Sequence, residues 1–357
     1  MSLRYGQPAP WFIAPTASSP EFVFDTAAGR YVVLLLPPQE PGAYAAALQL
    51  LAADRSRFDD VFASAFVIVP PGLTLQGAQD LRGLRWVLDG GGAITARYGP
   101  EPQWILLDPT LRVMSVEPVT EGAAFMRRLA ALPPPAAHAD TPLHAPVLVA
   151  PRIFEPELCA ALMAMHAADG GAFTGVMRDA GDRTLAVMDD LKRRRDIWIA
   201  EPALQAALRE RLERRLFPFI ELALGFRATR IERYLVSCYD AADGGVFHPH
   251  RDNTTHGTAH RRFACSLNLN DDFEGGDLRF AEYGPQTYRP PPGGAVVFSC
   301  ALMHEARPVT RGRRYAFLPF FFDEAGAAVR AAYEARQAAH PMAPPLAPPT
   351  THGGAPA

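Results

Sequence analysis

Residues 246–253 read Val-Phe-His-Pro-His-Arg-Asp-Asn, and residues 304–315 read His-Glu-Ala-Arg-Pro-Val-Thr-Arg-Gly-Arg-Arg-Tyr. The first stretch sets His250 and Asp252 two residues apart, and on a β-strand that spacing puts both side chains on one face. The second supplies His304 from a strand distant in the chain. Two histidines and one carboxylate are the ligand set of the facial triad that holds non-haem Fe(II) and leaves positions open for a co-substrate and O₂. His248 forms a competing His248-x-His250 pair. The reading adopted is His250, Asp252 and His304, because the carboxylate completes the triad.

Around this core the text is β. Short strands are expected over 229–238, 247–252, 263–269, 277–280, 295–299, 304–309 and 314–321, separated by turns such as Pro290–Gly294. Even spacing of short strands argues for a sandwich or jelly roll. A helix is expected to begin near Pro156. Another is expected from Pro202 to Leu216, with Leu204, Leu208, Leu212 and Leu216 forming its stripe and Pro218 ending or kinking it. Residues 189–196, Asp-Asp-Leu-Lys-Arg-Arg-Arg-Asp, read as a solvated loop.

Farther out, residues 1–132 alternate strand and helix. Tyr31–Leu36, Ala65–Val69 and Trp104–Asp108 are short apolar runs bounded by prolines and turns, as expected of buried strands in a small α/β sheet. Residues 133–146 are rich in proline and alanine and form a linker. The second domain runs over 147–325. Residues 326–357 hold a short helix over 327–337 and a tail of disordered composition.

Composition narrows the function classes. The chain has 357 residues, 48% hydrophobic and 20% charged, with a net charge of −3. That length favours two domains, and the charge gives no basic field for nucleic acid. No apolar run is long enough to span a bilayer, and residues 1–11 carry no signal-peptide pattern. The four cysteines, Cys159, Cys238, Cys265 and Cys300, have no C-x-x-C spacing, which fits buried thiols in a reducing cytoplasm.

The second domain resembles prolyl 4-hydroxylase-type 2-oxoglutarate/Fe(II) dioxygenases. The resemblance rests on Tyr239, Gly244–Asn253, Leu267–Asn270, Gly275–Phe280, Gly293–Phe298 and His304–Tyr315 in that order. It implies a double-stranded β-helix (jelly roll) with flanking helices, with Fe(II) held by His250, Asp252 and His304. It also implies 2-oxoglutarate as co-substrate, O₂ as oxidant and L-ascorbate as a reductant. A guanidinium suits the far carboxylate of 2-oxoglutarate, and Arg314 is expected to bind it. Arg314, Ala316 and Leu318 share one strand face, and Arg313 points away. Tyr239 is a second candidate for that carboxylate. Asn268 stands where relatives often place a tyrosine. Arg251, Arg261, Arg262 and Arg279 are weighed as an anionic-substrate entrance and read as surface arginines. His256 and His260 are read as loop residues.

The first domain is similar to peroxiredoxin-type thioredoxin folds through Gly6–Phe12, Tyr31–Pro37, Ala96–Gly99 and Pro102–Asp108. In that family the proline at the place of Pro102 is often cis. The peroxidatic cysteine is missing, since no cysteine precedes Cys159, so peroxidase chemistry has no nucleophile. The expected reaction is hydroxylation of a prolyl residue in a protein or peptide. Alternatives are a small-molecule or free amino-acid hydroxylase, or a non-catalytic binding protein that docks a partner through its first domain. A membrane and nucleic acid are not expected as partners.

Overall fold

The computed structural model describes residues 3–71 and 79–339. The tail expected beyond 339 lies outside the described residues.

In the N-terminal unit, strands Tyr31–Leu36, Ala63–Val69 and Leu84–Leu88 pair in parallel. Strands Gln103–Leu107 and Val113–Pro118 continue the sheet antiparallel on the other side of Tyr31–Leu36. Every residue of the Tyr31–Leu36 and Ala63–Val69 strands is buried, because the sheet is covered on both faces. Helices Pro41–Ala53 and Gly122–Ala131 bury Leu51, Phe125 and Leu129 on one face. Helix Ala93–Tyr98 buries Ile94 and Tyr98 on the other, with Phe12 and Phe24. Among the described residues no peptide bond is cis, the one before Pro102 included.

The C-terminal region is mainly β. A larger antiparallel sheet carries the strands Arg230–Glu232, Phe320–Phe322, Phe263–Asn268, Arg313–Phe317, Leu235–Asp240 and Arg195–Trp198 in that spatial order, with Ala295–Ser299 also paired to Phe263–Asn268. A smaller sheet carries Lys192–Arg193, Val246–His250, His304–Ala306, Leu278–Arg279 and Thr287–Tyr288. Tyr239, Val296, Phe298 and Ala316 of the larger sheet cluster with Leu278 and Ala306 of the smaller one. The cavity that matters opens within this packing. The outer face of the larger sheet is covered by helix Pro156–Asp169 and by the leucine stripe of the helix beginning at Pro202.

Pro218 does not end that helix. A π-turn over Leu212–Leu216 precedes it, and helix Phe217–Leu224 runs on to a left-handed Gly225. Proline near the start of a helical segment has no intrahelical hydrogen bond to lose, and the π-turn absorbs its bulk. The C-terminal helix spans Glu324–Ala339, longer than expected.

The two units touch beside the metal-ligand candidates. Gly29, at φ +92, packs so closely on Ala281 that a Cβ there would lie 2.9 Å from the Ala281 Cβ.

Candidate metal centre

Strands Val246–His250 and His304–Ala306 are antiparallel neighbours, and His250 stands directly opposite His304. Asp252 lies just past the strand end, on a bend, rather than inside a strand running to 252 as expected. The three side chains still converge: one ligand atom from each lies within 4.8 Å of the others. Asp252 Oδ1 is 3.6 Å from His250 Nε2, and Oδ2 is 3.3 Å from His304 Nε2. Adjacent ligands roughly 2.1 Å from an octahedral ion stand about 3 Å apart, so the spacing suits a first-row divalent metal.

Hydrogen bonding sets the imidazoles for that task. His250 Nδ1 donates to the His248 carbonyl at 2.7 Å, and His304 Nδ1 donates to the Leu302 carbonyl at 3.0 Å. Both Nε2 lone pairs therefore face Asp252. Burial, followed by neighbouring His250, lowers the His304 pKa to about 4. Burial by itself would raise the Asp252 carboxyl, but His304, His250 and Arg261 outweigh it and hold the group below its usual range. At neutral pH the site offers a neutral His304 and an ionised Asp252, the forms that bind metal.

His248 is excluded by a local irregularity. Phe247 pairs with Ala306 while His250 pairs with His304, so one extra residue is fitted between them. Such a bulge rotates the side chains it contains. His248 is exposed, and its carbonyl rather than its ring serves the site.

Arg314 lines the same cavity as the three ligand candidates and is 2% exposed. Its Nε donates to Asn268 Oδ1 at 3.1 Å and one terminal nitrogen to Ser266 Oγ at 2.7 Å. No described carboxylate pairs with it. Burial lowers its pKa from the usual value. Gly276 faces it so closely that a Cβ there would lie 3.0 Å from Arg314 Cδ. Ala316 is buried on the same face, whereas Arg313 turns outward to Asp240. Tyr239 pairs in register with Arg314, and its ring lies 5.2 Å from the guanidinium. The Tyr239 hydroxyl accepts from Arg194 at 3.1 Å. Asn268 is buried and spans Arg314 and the Pro290 carbonyl, so it orients Arg314.

The expectation of a solvated loop over 189–196 is corrected. Lys192, Arg194 and Asp196 are buried, and Arg194 lines the cavity. The signal was their period-two spacing: strands Lys192–Arg193 and Arg195–Trp198 turn alternate side chains inward. The ammonium of Lys192 donates to Thr174 Oγ1 and the Gly175 carbonyl. Burial, then the charge of Arg194, lowers its pKa to about 7.

Nor are Arg251 and Arg261 surface residues. Arg251 reaches Asp25 and Glu282 at 2.6 Å each. Arg261 pairs with Glu232 at 2.6 Å and also donates to the Asp252 carbonyl. His260 shares Glu232 at 2.8 Å, so it is a buried structural residue. Arg279 pairs with Glu305, and Arg262 donates to the Ala259 carbonyl. None of these four arginines lines the cavity. Cys265 and Cys300 are buried free thiols whose pKa burial pushes up, so they are poor nucleophiles.

The family model for the 2OG-Fe(II) oxygenase superfamily matches residues 234–322. A PKHD-type hydroxylase of Pseudomonas aeruginosa is 30% identical over 188 residues, which are 49% of this chain and 76% of that protein. A PKHD-type hydroxylase of Synechococcus is 32% identical over 97 residues, 25% of this chain and 42% of its own length. The chain thus spans less than half the length of the Synechococcus relative. A solved prolyl hydroxylase from Trichoplax adhaerens, in complex with a hypoxia inducible factor peptide fragment, overlaps 52% of this chain and 86% of that one at 19% identity and a TM-score of 0.41. Through a C-terminal region similar to PKHD-type hydroxylases, the chain belongs to the 2OG-Fe(II) oxygenase superfamily, whose family cofactors are Fe(II), 2-oxoglutarate and O₂.

Proposed function

We propose that this protein is a 2-oxoglutarate- and Fe(II)-dependent hydroxylase acting on an unactivated C–H bond, with succinate and CO₂ as co-products. The observation that carries the reading is one cavity lined both by His250, Asp252 and His304 and by the buried, carboxylate-free Arg314. His250, Asp252 and His304 would hold the iron by one face. Arg314, set by Asn268 and Ser266, would pair with the far carboxylate of 2-oxoglutarate. Tyr239, whose hydroxyl accepts from Arg194, would flank that carboxylate. When bound, iron with 2-oxoglutarate and O₂ supplies the oxidation that puts one oxygen atom into the substrate and the other into succinate. The chain's own work is to order these partners, keep His304 neutral and exclude water with Phe247, Phe298 and Leu318 around the ligands. Prolyl residues of a peptide or protein are the proposed first substrate, and ascorbate the reductant for off-cycle oxidised metal.

We further propose the domain organisation 1–132, linker 133–146 and 147–325, with a thioredoxin-like N-terminal unit. Its parallel strands flanked by two antiparallel ones support that reading. With no cysteine before Cys159, the unit would act as a scaffold, a role favoured by its Asp25 contact to Arg251. A cytoplasmic setting is proposed from the four buried free thiols. No helix among the described residues is long and apolar enough to cross a membrane.

Calorimetry tests the cofactor part. 2-Oxoglutarate should bind only in the presence of Mn(II) or Fe(II). Arg314→Ala should weaken it by roughly thirtyfold or more, the loss of a buried charge-assisted pair. Metal-independent binding, or an unchanged affinity in the variant, would contradict the assignment.

A further inference from the structure

Three guanidiniums line the cavity, those of Arg194, Arg233 and Arg314. They differ in what offsets their charge. Arg194 lies against Asp196, Nε 2.9 Å from Oδ1. Arg314 has a task in the proposed function. Arg233 has neither. Its Nε donates to the Leu318 carbonyl at 3.0 Å, and its guanidinium lies 4.2 Å over the Phe320 ring. Among the described residues no carboxylate pairs with it. Its chain neighbour Glu232 is already engaged by His260 and Arg261. The two terminal nitrogens of Arg233 therefore keep their N–H groups free for a ligand. Burial, with Arg261 and Arg194 nearby, lowers its pKa to about 10, which leaves it charged at neutral pH. Its backbone is left-handed at φ 57, a conformation that costs energy outside glycine and clusters at functional sites.

The position of Arg233 gives it a separate role. Arg233 sits in the turn just before the strand Leu235–Asp240, whereas Tyr239 lies near the far end of that strand and stands opposite Arg314. Asp252 lies toward the Arg233 end. Arg261 links the two, donating to the Asp252 carbonyl and stacking 4.0 Å over Phe320, the ring that Arg233 also covers. Asp252 thus stands on the Arg233 side of a cavity that Arg314 also lines. A five-carbon dicarboxylate reaching from the metal-ligand candidates to Arg314 leaves Arg233 unsatisfied.

We infer that Arg233 is the substrate-recognition residue of the site, and that the substrate carries a carboxylate that docks on Arg233 while its C–H bond faces the metal. A single planar guanidinium edge matches a planar monoanion in bidentate fashion, whereas a phosphate dianion would call for further unpaired cations. The inference rests on the oxygenase reading and narrows its substrate class. The carboxylate can belong to a free amino acid, to a peptide C-terminus or to an acidic side chain.

The test is substrate-stimulated succinate release by the iron-loaded full chain. The panel holds the free L-amino acids and their carboxamides, and prolyl peptides with free or amidated C-termini, with and without an internal glutamate. Stimulation should follow the carboxylate and be lost where none remains, and the arm that responds identifies its source. For the stimulating acid, Arg233→Met should raise KM on the order of thirtyfold, and Arg233→Lys should recover part of it. Calorimetry without O₂ should show the same weakening of that acid's binding to protein loaded with Mn(II) and 2-oxoglutarate. Equal stimulation by compounds that keep a carboxylate and by compounds that have none, or an unchanged KM in Arg233→Met, overturns the inference. So does a panel with no stimulating member while 2-oxoglutarate still binds with the metal, an outcome that leaves the oxygenase reading standing. Absence of metal-dependent 2-oxoglutarate binding overturns both.

Discussion

Arg314 is held by what surrounds it rather than by an opposite charge. Asn268 and Ser266 occupy two of its nitrogens, and Gly276 leaves room for its aliphatic stem. Gly276 has φ +71, and a Cβ there would meet Val309 Cγ2 at 2.9 Å and Arg314 Cδ at 3.0 Å. Gly276→Ala should therefore strain the turn, costing about 1–2 kcal/mol of stability. It should also displace Arg314, lowering 2-oxoglutarate affinity by about tenfold. Urea titration and calorimetry separate the two effects. A variant that loses stability and keeps its 2-oxoglutarate affinity would show that Gly276 serves the turn alone.

Strand parity explains which residues were legible. Arg313–Phe317 is a regular strand, so alternation alone separated Arg314 and Ala316 from Arg313 and Tyr315. Alternation gave no choice between His248 and His250, because a bulge between Phe247 and His250 breaks it and is not encoded by residue type; the need for a carboxylate made the choice, in favour of His250 and Asp252. Residues 189–196 misled. Their composition reads as solvent-facing, while burial of Lys192, Arg194 and Asp196 depends on partners distant in the chain, such as Ser237 and Tyr239. Arg233 sits in a left-handed turn between two strands, a conformation for which arginine gives no signal.

Glu232, on the strand Arg230–Glu232, ties that strand to the loop carrying His260 and Arg261 and, through Arg261, to the Asp252 backbone. Burial would raise its carboxyl, but His260 and Arg261 outweigh burial and hold it well below the usual 4.5. A depressed folded-state pKa contributes stability above the unfolded value, and that stability is lost as pH falls through the folded value. Glu232→Gln should therefore cost about 3 kcal/mol at pH 7. The penalty should shrink as pH falls below 4.5. Urea unfolding at pH 7 and in the acid range checks this, and a penalty that grows on acidification would contradict the pairing.

At the scale of the molecule, the two units meet at Arg251, the residue between two metal-ligand candidates. Its side chain is 4% exposed, paired to Asp25 and Glu282 and stacked 4.2 Å over Trp11. Asp25 and Trp11 come from the N-terminal unit, so that unit helps fix the turn carrying Asp252. Asp25→Ala should weaken Co(II) binding by roughly tenfold, as losses around metal ligands do. Glu21→Ala, at the exposed Arg178 contact between the same units, should leave it unchanged. Equal effects of both variants would indicate general loosening of the interface. The N-terminal sheet itself was legible because its strands are continuous apolar runs. Its contact with the site was not, because Asp25 and Arg251 lie 226 residues apart.

The proposed oxygenase chemistry requires one cavity to bring iron and 2-oxoglutarate together. The most direct measurement is succinate formed from 2-oxoglutarate by anaerobically purified protein after addition of Fe(II) and then O₂, beside His304→Ala. The wild-type chain should give O₂-dependent succinate and metal-dependent 2-oxoglutarate binding, and the variant neither. Equal succinate from both proteins, or no succinate together with no metal-dependent 2-oxoglutarate binding, would contradict the proposed chemistry.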